Sequence, residues 1–242
     1  MHTEKLNWEL FKNLMHESWH KDLQPFIESK ECYDIYQFLK SEPKNSVIPK
    51  SDLLWRPFLY TQKDKFKVMF IGLSPYHTRS HNKDFADGLC FSTELQKEPP
   101  SLSLILDAVS DDLGEEGKRE LSLKRWAEEG VLLMNAALTT TYLKAGNHLD
   151  LWKPFWEYFY REVLSKQNGL IIVYFGKEAS RLQKYETPFI HYGFPLNHPA
   201  FYARMGEPFE HNKVFTKINK ILRENNGEGC QINWIPKTKT EN

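Results

Sequence analysis

The chain has 242 residues with 32 basic and 32 acidic side chains, so its formal net charge is zero. That balance excludes a globally basic nucleic-acid binder and leaves only a local patch for any contact with DNA. Cys32, Cys90 and Cys230 are scattered and form no CxxC pair. They support neither a disulfide framework nor a cysteine-held metal cluster, and they fit a reducing compartment. With no apolar run of membrane length and no signal-peptide apolar segment at the N-terminus, the chain reads as soluble and cytoplasmic. Its length suits one α/β domain over residues 1–242.

Residues 8–39 place Leu10, Leu14, Trp19, Leu23, Phe26, Tyr36, Phe38 and Leu39 at helical spacing. The same stretch holds His16-Glu17-Ser18-Trp19-His20, a formal match to HExxH. Two histidines four apart on one helical face can hold zinc. No third ligand follows on a second helix, so the expectation is a chance match on a surface helix turn, with no metal and no cofactor. Pro43, Pro49 and Pro57 punctuate residues 41–65, where Leu53, Trp55, Phe58 and Leu59 are too apolar for a flexible linker. This segment reads as an ordered crossing that feeds the first strand.

That strand, residues 68–71, is an apolar run expected to be buried on both faces. Gly72 breaks it, and Pro75 holds Ser74 extended. A polar turn at the carboxyl end of a buried parallel strand is where open α/β sheets place their ligands. A polar loop follows over residues 78–87, carrying Arg79, His81, Lys83, Asp84 and Asp87. Ser101, after Pro99-Pro100, is the expected N-cap of a helix over residues 102–109.

A short helix around Trp126 precedes a second buried strand, residues 131–138, whose single polar residue is Asn135. An amide there offers a ligand both a donor and an acceptor. Residues 152–164 read as a helix with an aromatic core stripe. A third strand, residues 170–175, ends at Gly176-Lys177, and a fourth, residues 189–192, leads through Pro195 to Asn197-His198-Pro199. An amphipathic helix over residues 214–223 closes the chain, with Trp234 packing the tail. Four strands separated by helices predict an α/β, three-layer fold: a central four-stranded parallel twisted sheet with helices on both faces. Ser74, Asn135, Lys177 and His198 each lie at a strand's carboxyl end, so all four can converge on one edge.

These strand ends resemble the family-1 uracil-DNA glycosylases. Gly72-Leu73-Ser74-Pro75-Tyr76-His77 is similar to that family's GQDPYH loop, and residues 88–92 are similar to GLCFS. Residues 99–102 are similar to PPSL. Trp126-Ala127, residues 130–135 and Leu138-Thr139 follow WAxQGVLLLNxxLT. Phe175-Gly176-Lys177-Glu178-Ala179 sits at the WGxxAQ position and His198-Pro199 at the HPSPLS loop. Six motifs occur in the family's order.

The resemblance implies a monomeric enzyme that extrudes a pyrimidine from DNA and hydrolyses its N-glycosidic bond through an oxocarbenium-like transition state, leaving an abasic site. On the matching positions it implies that Phe91 stacks on the base and Asn135 reads its Watson–Crick edge. His198, neutral, stabilises the departing anion. Leu73 and Tyr76 line the base pocket, with Tyr76 against C5. Pro99, Ser101, Asn147, His148, Lys177 and Arg204 contact the DNA backbone, and Phe201 or Tyr202 fills the vacated stack.

Two departures from the family stand out. Its water-activating aspartate is Ser74 here, and a serine cannot act as a carboxylate; loss of a general base costs roughly 10²–10⁴-fold. The loop after Tyr76 is also a few residues longer and supplies Asp84 and Asp87 as candidate replacement carboxylates. Together these favour release of a C5-substituted pyrimidine, hydroxymethylated or glycosylated, as in defence against phage with modified DNA. The alternatives are uracil excision in base-excision repair and a non-catalytic DNA-binding scaffold.

Overall fold

The computed structural model describes residues 5–186 and 191–236. In chain order the strands among them are β1 (Val47–Ile48), β2 (Val68–Gly72), β3 (Arg79–Ser80), β4 (Lys83–Asp84), β5 (Val131–Asn135), β6 (Thr140–Thr141), β7 (Leu170–Phe175) and β8 (His191–Leu196). The α-helices are α1 (His20–Ile27), α2 (Lys30–Ser41), α3 (Arg56–Tyr60), α4 (Pro100–Leu113), α5 (Lys124–Glu128), α6 (Lys153–Glu162), α7 (Lys177–Ser180), α8 (Pro199–Met205) and α9 (Val214–Asn226).

The central sheet runs β5-β2-β7-β8 with every neighbouring pair parallel, the expected α/β architecture. The chain leaves β2 towards one edge, to β5, and leaves β7 towards the other, to β8. The crevice between the carboxyl ends of β2 and β7 is therefore a topological switch point, where α/β sheets bind ligands.

The strict alternation of a strand sorts the sheet's side chains into two cores. Met69, Ile71, Leu132, Met134, Ile172 and Tyr174 face an aromatic layer built from Trp19, Phe26, Trp55, Phe58, Phe155 and Phe159. Val68, Phe70, Leu133, Val173 and Phe175 face Leu102, Ile105, Trp126, Phe215, Ile218 and Trp234. Helices thus cover both faces, which is why β2, β5 and β7 are buried at every position.

Several boundaries differ from expectation for local reasons. The second strand ends at Asn135 rather than at residue 138. Beyond it the N–H groups of Ala136 and Ala137 turn to donate to the carbonyls of Gly72 and Leu73, at 2.8 and 2.9 Å. The fourth strand is a mostly exposed edge over His191–Leu196, the one place in a sheet that tolerates Pro195; residues 189 and 190 of its predicted span lie outside the described residues. Helix α4 starts at Pro100 with Pro99 at its N-cap position. Ser101 is therefore inside the helix and not its cap.

The N-terminal stretch is three short 3₁₀ turns before α1. His16 caps the last of these and bonds Ser18 Oγ at 2.8 Å, while His20, at the first residue of α1, bonds the carbonyl of Lys12 at 2.9 Å. The two histidines of the HESWH match therefore share no helical face. Among the described residues no helix is long and apolar enough to cross a membrane.

The polar loop over residues 78–87 is a two-residue hairpin, β3 against β4. His81 and Asn82 both take positive φ, 48° and 61°, as a turn matching the strand twist requires.

Candidate active site

The site is assembled where β2 and β5 end side by side, Gly72 opposite Asn135. A Cβ on Gly72 would lie 2.5 Å from Cys90 Sγ, 2.9 Å from Asn135 Oδ1 and 3.2 Å from Phe91 Cζ. Only glycine lets these three side chains meet over the strand end. Asn135 is buried, yet its amide has no hydrogen-bond partner among the described residues. Both its donor and its acceptor are therefore available to a ligand.

Phe91 sits at a left-handed φ of 63°. Its ring lies 4.9 Å from that of Phe175 and 5.6 Å from the imidazole of His198, centroid to centroid. The turn that carries it is braced by Asp87. One carboxylate oxygen accepts the Leu89 N–H at 3.0 Å and the other the Ser92 hydroxyl at 2.5 Å. Ser92 Oγ in turn accepts the Leu123 N–H at 2.9 Å, and Arg56 donates to the Asp87 carbonyl at 2.9 Å. Burial pushes the Asp87 carboxyl up to about 6 against the pull of its hydrogen bonds from Ser92 and Leu89. Tyr76 closes the same wall. Its hydroxyl donates to the Phe91 carbonyl at 2.9 Å, and Phe85 packs on it edge-on at 6.4 Å.

His198 is the N-cap of α8, where its Nδ1 accepts the Ala200 N–H at 3.1 Å. The neutral ring must then carry its proton on Nε2, as a donor. Burial, with the charge of Arg204 adding to it, lowers its pKa to about 4, so the ring is neutral at physiological pH. Gly176, at a φ of +94°, is what lets it come so close: a Cβ there would lie 2.9 Å from His198 Cβ.

Ser74 Oγ accepts the N–H of Gly146 at 3.1 Å, and Leu73 packs against the same glycine, with Cδ1 3.3 Å from where its Cβ would be. The catalytic-loop candidates and the segment after β6 are thus one unit. The structure corrects the two carboxylates offered as replacements at this point. Asp84 is held by Arg79 within the hairpin at 2.6 Å, and Asp87 is consumed in the Phe91 turn.

The expected DNA contacts divide. Lys177 and Arg204 are exposed, on the first turn of α7 and on α8. Phe201 is 47% exposed, whereas Tyr202 is buried, its hydroxyl donating to Glu210 at 3.0 Å and accepting from Asn197 at 3.2 Å. Of the two aromatics offered for filling a stack, only Phe201 is exposed. Ser101 is buried in α4, and Pro99 is buried before it.

His148 is corrected from a phosphate contact to a core residue. Its ring nitrogens are taken by Thr139 Oγ1 at 2.9 Å and Thr141 Oγ1 at 3.2 Å, and burial lowers its pKa. Asn147 is exposed, but its amide oxygen caps the Thr141 N–H at 2.9 Å. Sequence reasoning missed the Asp87–Ser92 brace, the Cys90 wall and the Gly146 donor. The signal for each was a small residue or glycine beside a motif, which becomes meaningful only once the neighbour is known.

A flat aromatic, an unpaired amide and a neutral imidazole donor at the carboxyl end of a parallel α/β sheet form a site that can hold a planar heterocycle. Comparison with known proteins agrees. Residues 58–223 match the Uracil DNA glycosylase superfamily. Among curated relatives, a uracil-DNA glycosylase of Azobacteroides pseudotrichonymphae is 33% identical over 212 residues, 86% of this chain and 94% of that protein. One of Bacteroides thetaiotaomicron is 33% identical over 221 residues, 90% of this chain and 97% of that protein. In fold, the crystal structure of mimivirus uracil-DNA glycosylase superposes with a TM-score of 0.83 at 23% identity, covering 96% of this chain and 90% of that one. The chain belongs to the uracil-DNA glycosylase superfamily, and with it to the DNA glycosylases, hydrolases of N-glycosyl bonds.

The raised Asp87 carboxyl has a testable consequence. Its folded value, about 6, lies above the ordinary 3.8, so the folded state binds the proton more tightly. Stability is full below the ordinary value and declines as pH rises through about 6. The whole effect is about 3 kcal/mol. Asp87→Asn lacks this titration. In urea melts from pH 4 to pH 7, the stability of the wild type relative to the variant should fall by most of that amount, about 2 kcal/mol; a pH-independent difference refutes the assignment.

Proposed function

We propose that this protein is a uracil-DNA glycosylase of base-excision repair, acting on a uracil extruded from DNA. The observation that carries the reading is the closed C5 wall. Tyr76 is tied through its hydroxyl to the Phe91 carbonyl and backed by Phe85, so the pocket beside C5 is set for hydrogen and not for a substituent. The curated relatives bear the same activity in their names.

Two of the four polar groups that favoured a C5-substituted base, Arg79 and Asp84, are engaged with each other, while Asn82 and Lys83 stay exposed on the hairpin turn. Arg79 holds Asp84, donates to the Asn45 carbonyl at 2.6 Å and lies 4.6 Å over the Tyr142 ring. The enlarged-base reading, and the phage-defence role attached to it, thereby lose the pair of groups nearest Tyr142. A scaffold would have no reason to keep an amide free at the strand end beside Phe91 and His198.

In this reading the uracil stacks on Phe91. The Asn135 Oδ1 accepts its N3–H, and the Nδ2 donates to O4. Nε2–H of His198 meets O2, where negative charge grows as the C1′–N1 bond breaks and its electron pair moves onto the base. Water adds its oxygen to the cationic C1′ and releases a proton to solvent. Ser74 Oγ, fixed by the Gly146 N–H, can orient that water but cannot take its proton near neutral pH, so the chain works without the general base of its family.

Three outcomes follow. On duplexes carrying uracil, thymine, 5-hydroxymethyluracil or a glycosylated pyrimidine, alkaline cleavage should show uracil released fastest. Inert uracil beside a reactive C5-substituted base would overturn the reading. His198→Ala and Asn135→Ala should each lower kcat on uracil by about 10²–10³-fold with the fold intact by circular dichroism; wild-type rates would remove that residue from the site. Ser74→Asp should raise kcat by about 10²-fold, because the Gly146 N–H is already placed to hold the new carboxylate; an unchanged or lower single-turnover rate would show that water activation does not run through position 74.

A further inference from the structure

Eight large hydrophobic side chains are exposed among the described residues, and four of them sit on two elements that hold the site. Phe201 and Met205, 47% and 60% exposed, lie on α8, which His198 caps. Tyr142 and Leu143, 38% and 63% exposed, lie in the segment that follows β6. These elements leave opposite edges of the sheet, since β5 precedes the Leu143 segment and β8 precedes α8. The Leu143 segment, however, crosses the end of β2 and is tied to the loop after it, so two separate elements at the carboxyl end of the sheet each expose an apolar pair.

The Leu143 segment is not a loose loop that happens to expose a leucine. Its base pairs with β1. The Leu143 N–H donates to the His77 carbonyl at 2.8 Å, and the Gly146 N–H donates to Ser74 Oγ at 3.1 Å. Arg79, from the hairpin that lengthens this region, lies over the Tyr142 ring at 4.6 Å. This bracing holds Leu143 at a left-handed φ of 63°, a conformation that a side chain with a Cβ adopts at a cost and glycine adopts freely. Backbone and solvation both disfavour a leucine here. What such a rigidly held apolar side chain at the rim of a nucleotide pocket can do is enter a base stack, as apolar wedges do in bent DNA.

We propose that Leu143 is a second wedge, inserted into the stack beside the extruded nucleotide from the segment tied to the Ser74–His77 loop, on a different element from Phe201. The proposal rests on the reading of the protein as a DNA glycosylase that extrudes its base. It also accounts for the lengthened hairpin, since Arg79 braces the wedge from behind and does not read the base.

The test is Leu143→Gly, which removes the side chain while relieving the backbone, so the melting temperature should be unchanged or higher. On uracil in duplex DNA its kcat/KM should fall about tenfold, and on uracil in a single strand, where there is no stack to open, by less than about twofold. Leu143→Phe should retain duplex activity. An unchanged duplex rate, or an equal loss on both substrates, overturns the wedge. Binding to a duplex with a tetrahydrofuran abasic analogue, followed by fluorescence anisotropy, separates this from the choice of base. There Leu143→Gly should bind about tenfold more weakly than wild type, even if the wild type were to release no uracil. Equal affinities would overturn the wedge and leave the uracil reading untouched.

Discussion

Two backbone hydrogen bonds hold the site together: Ala136 N–H to the Gly72 carbonyl and Ala137 N–H to the Leu73 carbonyl. They stop β5 at Asn135, turn the chain across the end of β2, and keep the amide of Asn135 beside Gly72. The absence of a side chain at Gly72 then admits Cys90 and Phe91 to the same point. Each further contact builds on this closure. Phe91 carries the carbonyl that anchors Tyr76, and Phe175 and His198 pack against its ring. Because the strands below are buried on both faces, the platform cannot shift without disturbing a close-packed core.

The electrostatics of the site follow from burial more than from charge. His198 is kept neutral by desolvation, with its proton directed to Nε2 by the Ala200 N–H. A neutral donor suits a leaving group whose charge appears only as the bond breaks, since it need not be discharged beforehand. Asp87 shows the same force acting on a carboxyl, raised by burial and stabilised by two donors. It is a strut and not a base. With a serine at position 74, the proposed chemistry leans on stabilising the departing base rather than on activating water.

The lengthened segment after Tyr76 is where the structure most changes the reading of the residues. By side-chain type alone, Arg79, Asn82, Lys83 and Asp84 look like a set of hydrogen-bonding groups aimed at a substituent. Folded, two of them neutralise each other, and Arg79 also ties the hairpin to Asn45 and Tyr142. The hairpin becomes an outer brace on the Tyr142–Leu143 segment. Polar residues spend their hydrogen bonds on the nearest partner that geometry offers, and a two-residue turn offers Arg79 to Asp84 before any ligand arrives.

The sequence by itself determined a central sheet of four parallel strands, and that Ser74, Asn135, Lys177 and His198 each lie at a strand's carboxyl end. Apolar runs and turn residues are local signals, and a strand's end is where its loop must begin. It also determined that Phe91, Tyr76, Asn135 and His198 belong together, through motifs in a known order. Only the tertiary structure decided which polar side chains are free to act. His148 and Asn147 are neighbours in the chain, yet one is locked between two threonines in the core while the other is exposed. Tyr202 is buried and Phe201 beside it is not. Asp84 and Asp87 resemble catalytic carboxylates until their partners five residues away, Arg79 and Ser92, are seen bonded to them. Residue type records what a group can donate or accept, but whether that capacity is already satisfied depends on neighbours brought in from elsewhere by folding.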